Sequence, residues 1–145
     1  MPVTIPKDIV IDSDVMCLYD TRKRNKFTPL FFWLREKGSL VVGPSLLQEY
    51  GGSRKNAIMV LINELHREGR YDKIVSSRIK SFKEDRHFKY TCNYRDREHA
   101  KVVFLSYRKK LVTLDSNLRA DVNKFRKVDR IKPSACNNPI PAFYK

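Results

Sequence analysis

Apolar positions fall along this chain in short runs separated by charged or turn-forming stretches, and the period of each run predicts an element. Residues 9–11 (IVI) are β-branched and bounded by charge, which predicts a buried parallel strand rather than a helix. After the charged loop TRKRNKFT, Pro29 suits the first turn of a helix. Its apolar stripe of Leu30, Phe31, Trp33 and Leu34 runs on to a stop at Gly38, and these aromatics are read as core. Residues 40–42 form the second strand. Gly43-Pro44-Ser45 then opens another helix, with Ser45 as its cap or Pro44 in its first turn, which ends at Gly51-Gly52.

Ile58, Leu61, Ile62 and Leu65 recur at helical spacing and predict a helix over 55–69 that stops at Gly69. The pattern weakens over 71–95, where IVSSRIKSF fits either a strand or a short helix. DREHAKVVFLS predicts a helix from Asp96 with Ala100, Val103 and Phe104 inward. A strand follows over 110–114, then a helix over SNLRADVNKF capped by Ser116, and a last strand over 128–131. Proline and asparagine make 132–145 a loose tail. Strands alternating with helices over short connections predict an α/β fold, a three-layer α/β/α sandwich around a mostly parallel central sheet. At 145 residues the chain is expected to form a single domain, 1–145, with one core.

Charge adds a partner to this picture. With 30 Lys and Arg against 16 Asp and Glu, the formal net charge is +14, which favours a polyanion, nucleic acid first. An anionic membrane surface would ask for a concentrated basic helix face, and none is apparent. Three cysteines, Cys17, Cys92 and Cys136, show no CxxC spacing. They argue against a disulfide framework or a zinc ribbon, and with no secretory signal in MPVTIPKDIV they place the chain in the cytoplasm.

Two strands end in carboxylates: VIDSDV in Asp12 and Asp14, LVTLDSN in Asp115. Ligands of parallel sheets gather outside the carboxyl ends of the strands. Glu49, early in the helix after the second strand, and Asp96, opening the helix before LVTLD, can join them. Taken singly, Asp12, Asp14 and Asp115 are equally good helix caps, and Glu49 and Asp96 ordinary surface acids. Several carboxylates converging on one point would raise one another's pKa unless a cation such as Mg²⁺ or Mn²⁺ neutralised them.

The order of Asp12 in VIDSDV, Glu49 in PSLLQEY, Asp96 in RDREHA and Asp115 in LVTLDSNL, with Thr113 two residues before the last acid, resembles the PIN-domain nucleases over about residues 8–131. The resemblance implies a compact PIN-like α/β/α domain and a metal-dependent endoribonuclease, with a toxin held by an antitoxin protein as one form it takes. It makes Asp12, Glu49, Asp96 and Asp115 the catalytic, metal-ligating acids, with Mg²⁺ or Mn²⁺ as cofactor and Ser13 and Thr113 as polar neighbours. Asp14 departs from the family pattern and is either a fifth acid or a helix cap. RNA is the expected partner, with a homodimer as another and no membrane. Arg22, Lys23, Arg24, Lys26, Arg54, Lys55, Arg95 and Arg97 flank the acids and form the expected RNA-binding rim. His99 is read as a surface or half-buried histidine rather than a catalytic one. Two alternatives stand beside this reading. DIVIDSDV also matches the strand-Asp-x-Asp signature of haloacid dehalogenase-like phosphatases, with Asp12 as nucleophile and Asp14 as acid. The other is a non-catalytic basic nucleic-acid-binding module.

Overall fold

The computed structural model describes residues 6–19, 22–53 and 55–145. Five strands, β1 (Asp8–Ile11), β2 (Ser39–Val42), β3 (Tyr71–Lys73), β4 (Lys110–Val112) and β5 (Ser134–Cys136), form one all-parallel sheet in the order β3-β2-β1-β4-β5. Helices flank it: α1 (Ser13–Met16), α2 (Thr28–Glu36), α3 (Pro44–Gly52), α4 (Asn56–Arg67), α5 (Ser76–Ser81), α6 (Arg97–Leu105), α7 (Ser116–Lys124) and α8 (Pro141–Tyr144). The fold class expected from the alternation is the one observed. No helix among the described residues is long and apolar enough to cross a membrane.

Strand order steps outward from β1 in two directions. Crossovers between parallel strands are right-handed, so the helices of the β1-β2-β3 half and those returning to β4 and β5 cover opposite faces of the sheet. β1 is the middle strand, and its Ile9, Val10 and Ile11 are fully buried, as a strand covered on both faces requires. α6 packs on β1 and β2 and also touches α3, α5 and α7, making it the main support of its face.

Local chemistry explains the boundaries. Pro29 and Pro44 sit in the first turns of α2 and α3, where their missing N–H groups cost nothing. α4 buries Ile58, Leu61, Ile62 and Leu65. It ends at Gly69, whose φ of +72° lets the amide of Arg70 return to the Leu65 carbonyl at 2.8 Å. Gly43 is required for a different reason: a Cβ there would lie 2.6 Å from the Cγ2 of Val102, so only glycine lets the β2–α3 turn approach α6.

Three expectations change. The last strand is not at 128–131, where Val128 and Ile131 form only an antiparallel bridge across a turn with positive φ at Asp129 and Arg130. It is β5, inside the segment expected to be a loose tail. That tail also carries α8, whose Tyr144 is buried with its ring 5.0 Å from Trp33. A three-residue edge strand and a one-turn helix are too short to leave a periodic signature. Finally, α7 is capped by Asp115 rather than Ser116.

Of the two options open for IVSSRIKSF the structure takes the helix, α5, and the strand β3 precedes it at the sheet edge. Residues 82–93 then cross the surface with no helix or strand, yet they are well anchored. Phe88 stacks edge-on against Phe125 at 4.7 Å and Phe82 lies 5.5 Å from Phe104. Thr91 donates to the fully buried Asp121 from its amide at 2.9 Å and its hydroxyl at 2.7 Å, and the Cys92 amide does so at 2.9 Å. Burial alone would raise the Asp121 carboxyl, but these donors hold it below its ordinary value. A depressed folded-state pKa contributes stability that is present above the unfolded value and lost as pH falls through the folded one. Asp121→Asn is therefore expected to cost roughly 3 kcal/mol near neutral pH. Chemical denaturation should show the gap to the wild type closing below about pH 4; a gap independent of pH would disprove the ionised role.

Candidate metal centre at the carboxyl edge of the sheet

Strand order reverses between β1 and β4, which makes the crevice beyond their carboxyl ends the natural ligand position of this sheet. Asp12 stands there as the N-cap of α1, only 6% exposed. Its Oδ1 accepts from the Ser13 amide at 2.8 Å and its Oδ2 from the hydroxyl of fully buried Thr113 at 2.6 Å. Thr113 follows β4 and is brought alongside by the β1–β4 pairing, in which the Asp12 amide donates to the Val112 carbonyl at 2.9 Å.

α3 delivers Glu49. The hydroxyl of buried Tyr50 donates to the Ile11 carbonyl, tying the helix to the end of β1. The Ser45 amide in the first turn donates to Glu98 Oε2 at 2.8 Å, tying the same helix to α6. Glu49 Oε1 accepts from the Ser13 hydroxyl at 2.9 Å, and its Oε2 is bonded to Nε2 of His99 on α6. Asp96, one helical turn before His99, places its Oδ1 3.8 Å from the same nitrogen. Asp12, Glu49 and His99 each offer a ligand atom, and these atoms lie within 4.8 Å of one another.

The remaining acids are arranged around this trio. Asp14 accepts from the Leu114 amide at 3.1 Å through Oδ2, while its Oδ1 is buried with no hydrogen-bond partner among the described residues. Asp115 spends Oδ1 on capping α7, accepting from Asn117 and Leu118 amides at 2.9 and 3.1 Å. Its own amide donates to Thr113 Oγ1 at 3.0 Å, so one hydroxyl links the turns that carry Asp12 and Asp115. Capping and membership of the acidic cluster, weighed as alternatives from sequence, coexist for Asp12 and Asp115.

The pocket is short of positive charge. Burial pushes the Asp12 carboxyl up, against the Thr113 hydrogen bond and the nearby His99. Burial and the neighbouring Asp12 push Asp14 up to about 6. Asp96 is also raised, by burial and then, against the influence of His99, by Asp12, Asp115 and Glu49. Nδ1 of His99, the nitrogen not bonded to Glu49, is buried with no hydrogen-bond partner among the described residues. Crowded carboxylates of raised pKa, with Oδ1 of Asp14 left unpartnered among them, fit a divalent cation. Carboxylate oxygens suit Mg²⁺ and Mn²⁺ alike, and the imidazole adds a nitrogen donor of the kind transition metals accept.

His99 is where sequence reasoning missed most. It is 1% exposed and bonded to Glu49, not a surface or half-buried side chain. Its only signal is the spacing DREH, which sets it one turn beyond Asp96. Of the expected rim, Arg22, Lys23, Arg24 and Lys26 are exposed on the segment after α1, and Arg95 is exposed beside Asp96. Lys55 instead donates to the Cys17 carbonyl, and Arg97 is half-buried between two tyrosine rings. Arg54 lies outside the described residues.

A scan against protein-family models, a search of curated proteins and a search of solved structures each found no match to this chain.

Replacing Asp12 by Asn in metal-free protein removes a charge from this pocket but keeps an acceptor for the Ser13 amide. Thermal unfolding in EDTA is expected to show Asp12→Asn at least as stable as the wild type. Thr113→Val, which strands Oδ2 without its donor, should be destabilised by roughly 1–3 kcal/mol. The reverse order would mean that the acids are not crowded.

Proposed function

We propose that this chain is a divalent-metal-dependent ribonuclease whose centre is built on Asp12, Glu49 and His99, with Asp96, Asp115 and Asp14 around them. The observation that carries the reading is the meeting of the first three within 4.8 Å at the point where strand order reverses. A net charge of +14 supports a polyanionic substrate, because an acidic centre repels phosphate and needs a basic exterior to draw it in. The order of acids shared with PIN-domain nucleases supports phosphodiester hydrolysis.

A bound Mg²⁺ or Mn²⁺ supplies the positive charge that lets a phosphodiester approach these carboxylates and offsets the charge developing on its oxygens. The protein's own part is to hold the acids in place. Thr113 and the Ser13 amide orient the two oxygens of Asp12, Ser13 and His99 orient those of Glu49, and the Leu114 amide orients Asp14. Such partners fix the direction in which each ligand points, as supporting residues do at metal sites generally. The phosphatase alternative has less support, since among the described residues no lysine is bonded to Asp12 or Asp14 and Asp12 is enclosed by Ser13 and Thr113.

RNA cleavage is expected with Mn²⁺ or Mg²⁺ and to stop in excess EDTA. Asp12→Asn should lower the rate on the order of 100-fold or more while RNA binding persists. Binding should weaken steeply with salt as phosphate contacts are screened. Cleavage undiminished in EDTA, or by Asp12→Asn, would end this reading. Unchanged binding without cleavage under any divalent cation would favour the non-catalytic module.

A further inference from the structure

A cleft of about 1120 Å³ opens directly from the acidic centre, with Glu49 and Asp96 on its wall. Its far side is the irregular segment between α5 and α6, which ends in a 3-10 turn, Tyr94–Asp96. Tyr94 is 81% exposed, the most exposed of the large hydrophobic side chains described. Tyr94 lines the cleft and leaves most of its ring open to a ligand there.

The ring is braced from within the protein. Arg97 lies 5.2 Å from the Tyr94 centroid and 5.3 Å from that of Tyr90. Tyr90 is anchored in turn through its hydroxyl to Glu84 at 2.6 Å. The stack Tyr90, Arg97, Tyr94 ends in the exposed ring, two residues from Asp96. The acids of this cleft away from the centre are already engaged: Glu84 with Lys101 at 3.5 Å, Asp85 with Arg126 at 2.9 Å, and Glu98 with the Ser45 amide at 2.8 Å. The side chains of Lys80, Arg86 and Arg95, by contrast, are exposed and make no ion pair with another described residue. What the wall offers a ligand is therefore the three exposed cations Lys80, Arg86 and Arg95, beside Glu98 and the acids of the centre, and one aromatic face at its end.

We propose that this cleft binds single-stranded RNA and that Tyr94 is a base-stacking platform next to the acidic centre, with Lys80, Arg86 and Arg95 tracking the phosphates. The assignment rests on the ribonuclease reading for the identity of the strand. Aromatic side chains capture unpaired bases by their faces, whereas a duplex keeps its bases stacked on one another and offers an exposed ring none. Tyr94 thus selects an unpaired nucleotide beside the bond to be cut, and it acts in binding whether or not a cation is present.

The test is binding in EDTA, where no cleavage occurs. A single-stranded oligoribonucleotide of about ten nucleotides carrying 2-aminopurine should bind with quenching of its fluorescence, as the base stacks on the ring. Tyr94→Ala should weaken binding about tenfold and remove the position-specific quenching, while Tyr94→Phe retains both. The same sequence as a duplex should bind more weakly and respond to neither variant. The side chain is so exposed that its removal leaves the core intact, and unchanged thermal unfolding would verify this. Equal affinity and quenching for wild type and Tyr94→Ala, equal binding of duplex, or no binding of the single strand would each overturn the proposal. A protein that shows the Tyr94-dependent quenching yet cleaves nothing with Mn²⁺ or Mg²⁺ would keep this proposal and lose the ribonuclease reading.

Discussion

Asp12 holds a carboxylate almost out of reach of water at the end of the middle strand, and the surrounding structure is arranged to tolerate it. Burial penalises its charged form, and the neighbouring Glu49 adds to that cost. What offsets it is two fixed donors, the first amide of α1 and the hydroxyl of Thr113 just after β4, and the electrostatic influence of the His99 imidazole on α6. Each comes from a different element, so the charge can be held only when β1, β4 and α6 are assembled.

Two close approaches set the geometry of that assembly. Gly43 lets the turn before α3 press against Val102 of α6, and Tyr50 pins α3 to the end of β1. Together they hold Glu49 and His99 face to face. A side chain at position 43 would push the two helices apart, separating the pair at its source. At the opposite end of the strands, Asp8 accepts from the Tyr107 and Arg108 amides at 2.7 and 2.9 Å. The Arg108 guanidinium then reaches the Tyr144 carbonyl at 2.8 Å. An acid at the amino end of β1 is thus spent on holding the loop before β4 and the C-terminal helix, while the acids at its carboxyl end are left crowded. That asymmetry separates a carboxylate fully engaged by backbone donors from carboxylates left crowded on one another.

The segment between α5 and α6 is anchored on one side and open on the other. Its aromatics and its bonds to Asp121 secure it to α7 and the core beneath. Its other side forms the wall of the cleft, with free cations and the exposed ring of Tyr94. Anchoring by a buried carboxylate lets a segment with no ladder hydrogen bonds present a defined surface beside the acidic centre.

Much of the architecture was legible from residue order alone. Strand β1, the helices α2, α3, α4, α6 and α7, and the placement of Asp12 and Asp115 at strand ends follow from periodicity, proline and glycine positions and the alternation of elements, because these depend on contacts between near neighbours in sequence. β5 and α8 were hidden, since elements so short are defined by the sheet and the Trp33 ring they pack on and not by their own pattern. Within the centre, the sequence determined which acids stand at the sheet edge. Only tertiary structure decided that a buried histidine pairs with Glu49, that Thr113 serves Asp12, and that Lys55 and Arg97 are occupied elsewhere. Those contacts join residues as many as 101 positions apart. Burial, which gives a charge or an imidazole its chemistry, is a property of the assembled layers and not of any local run of residues.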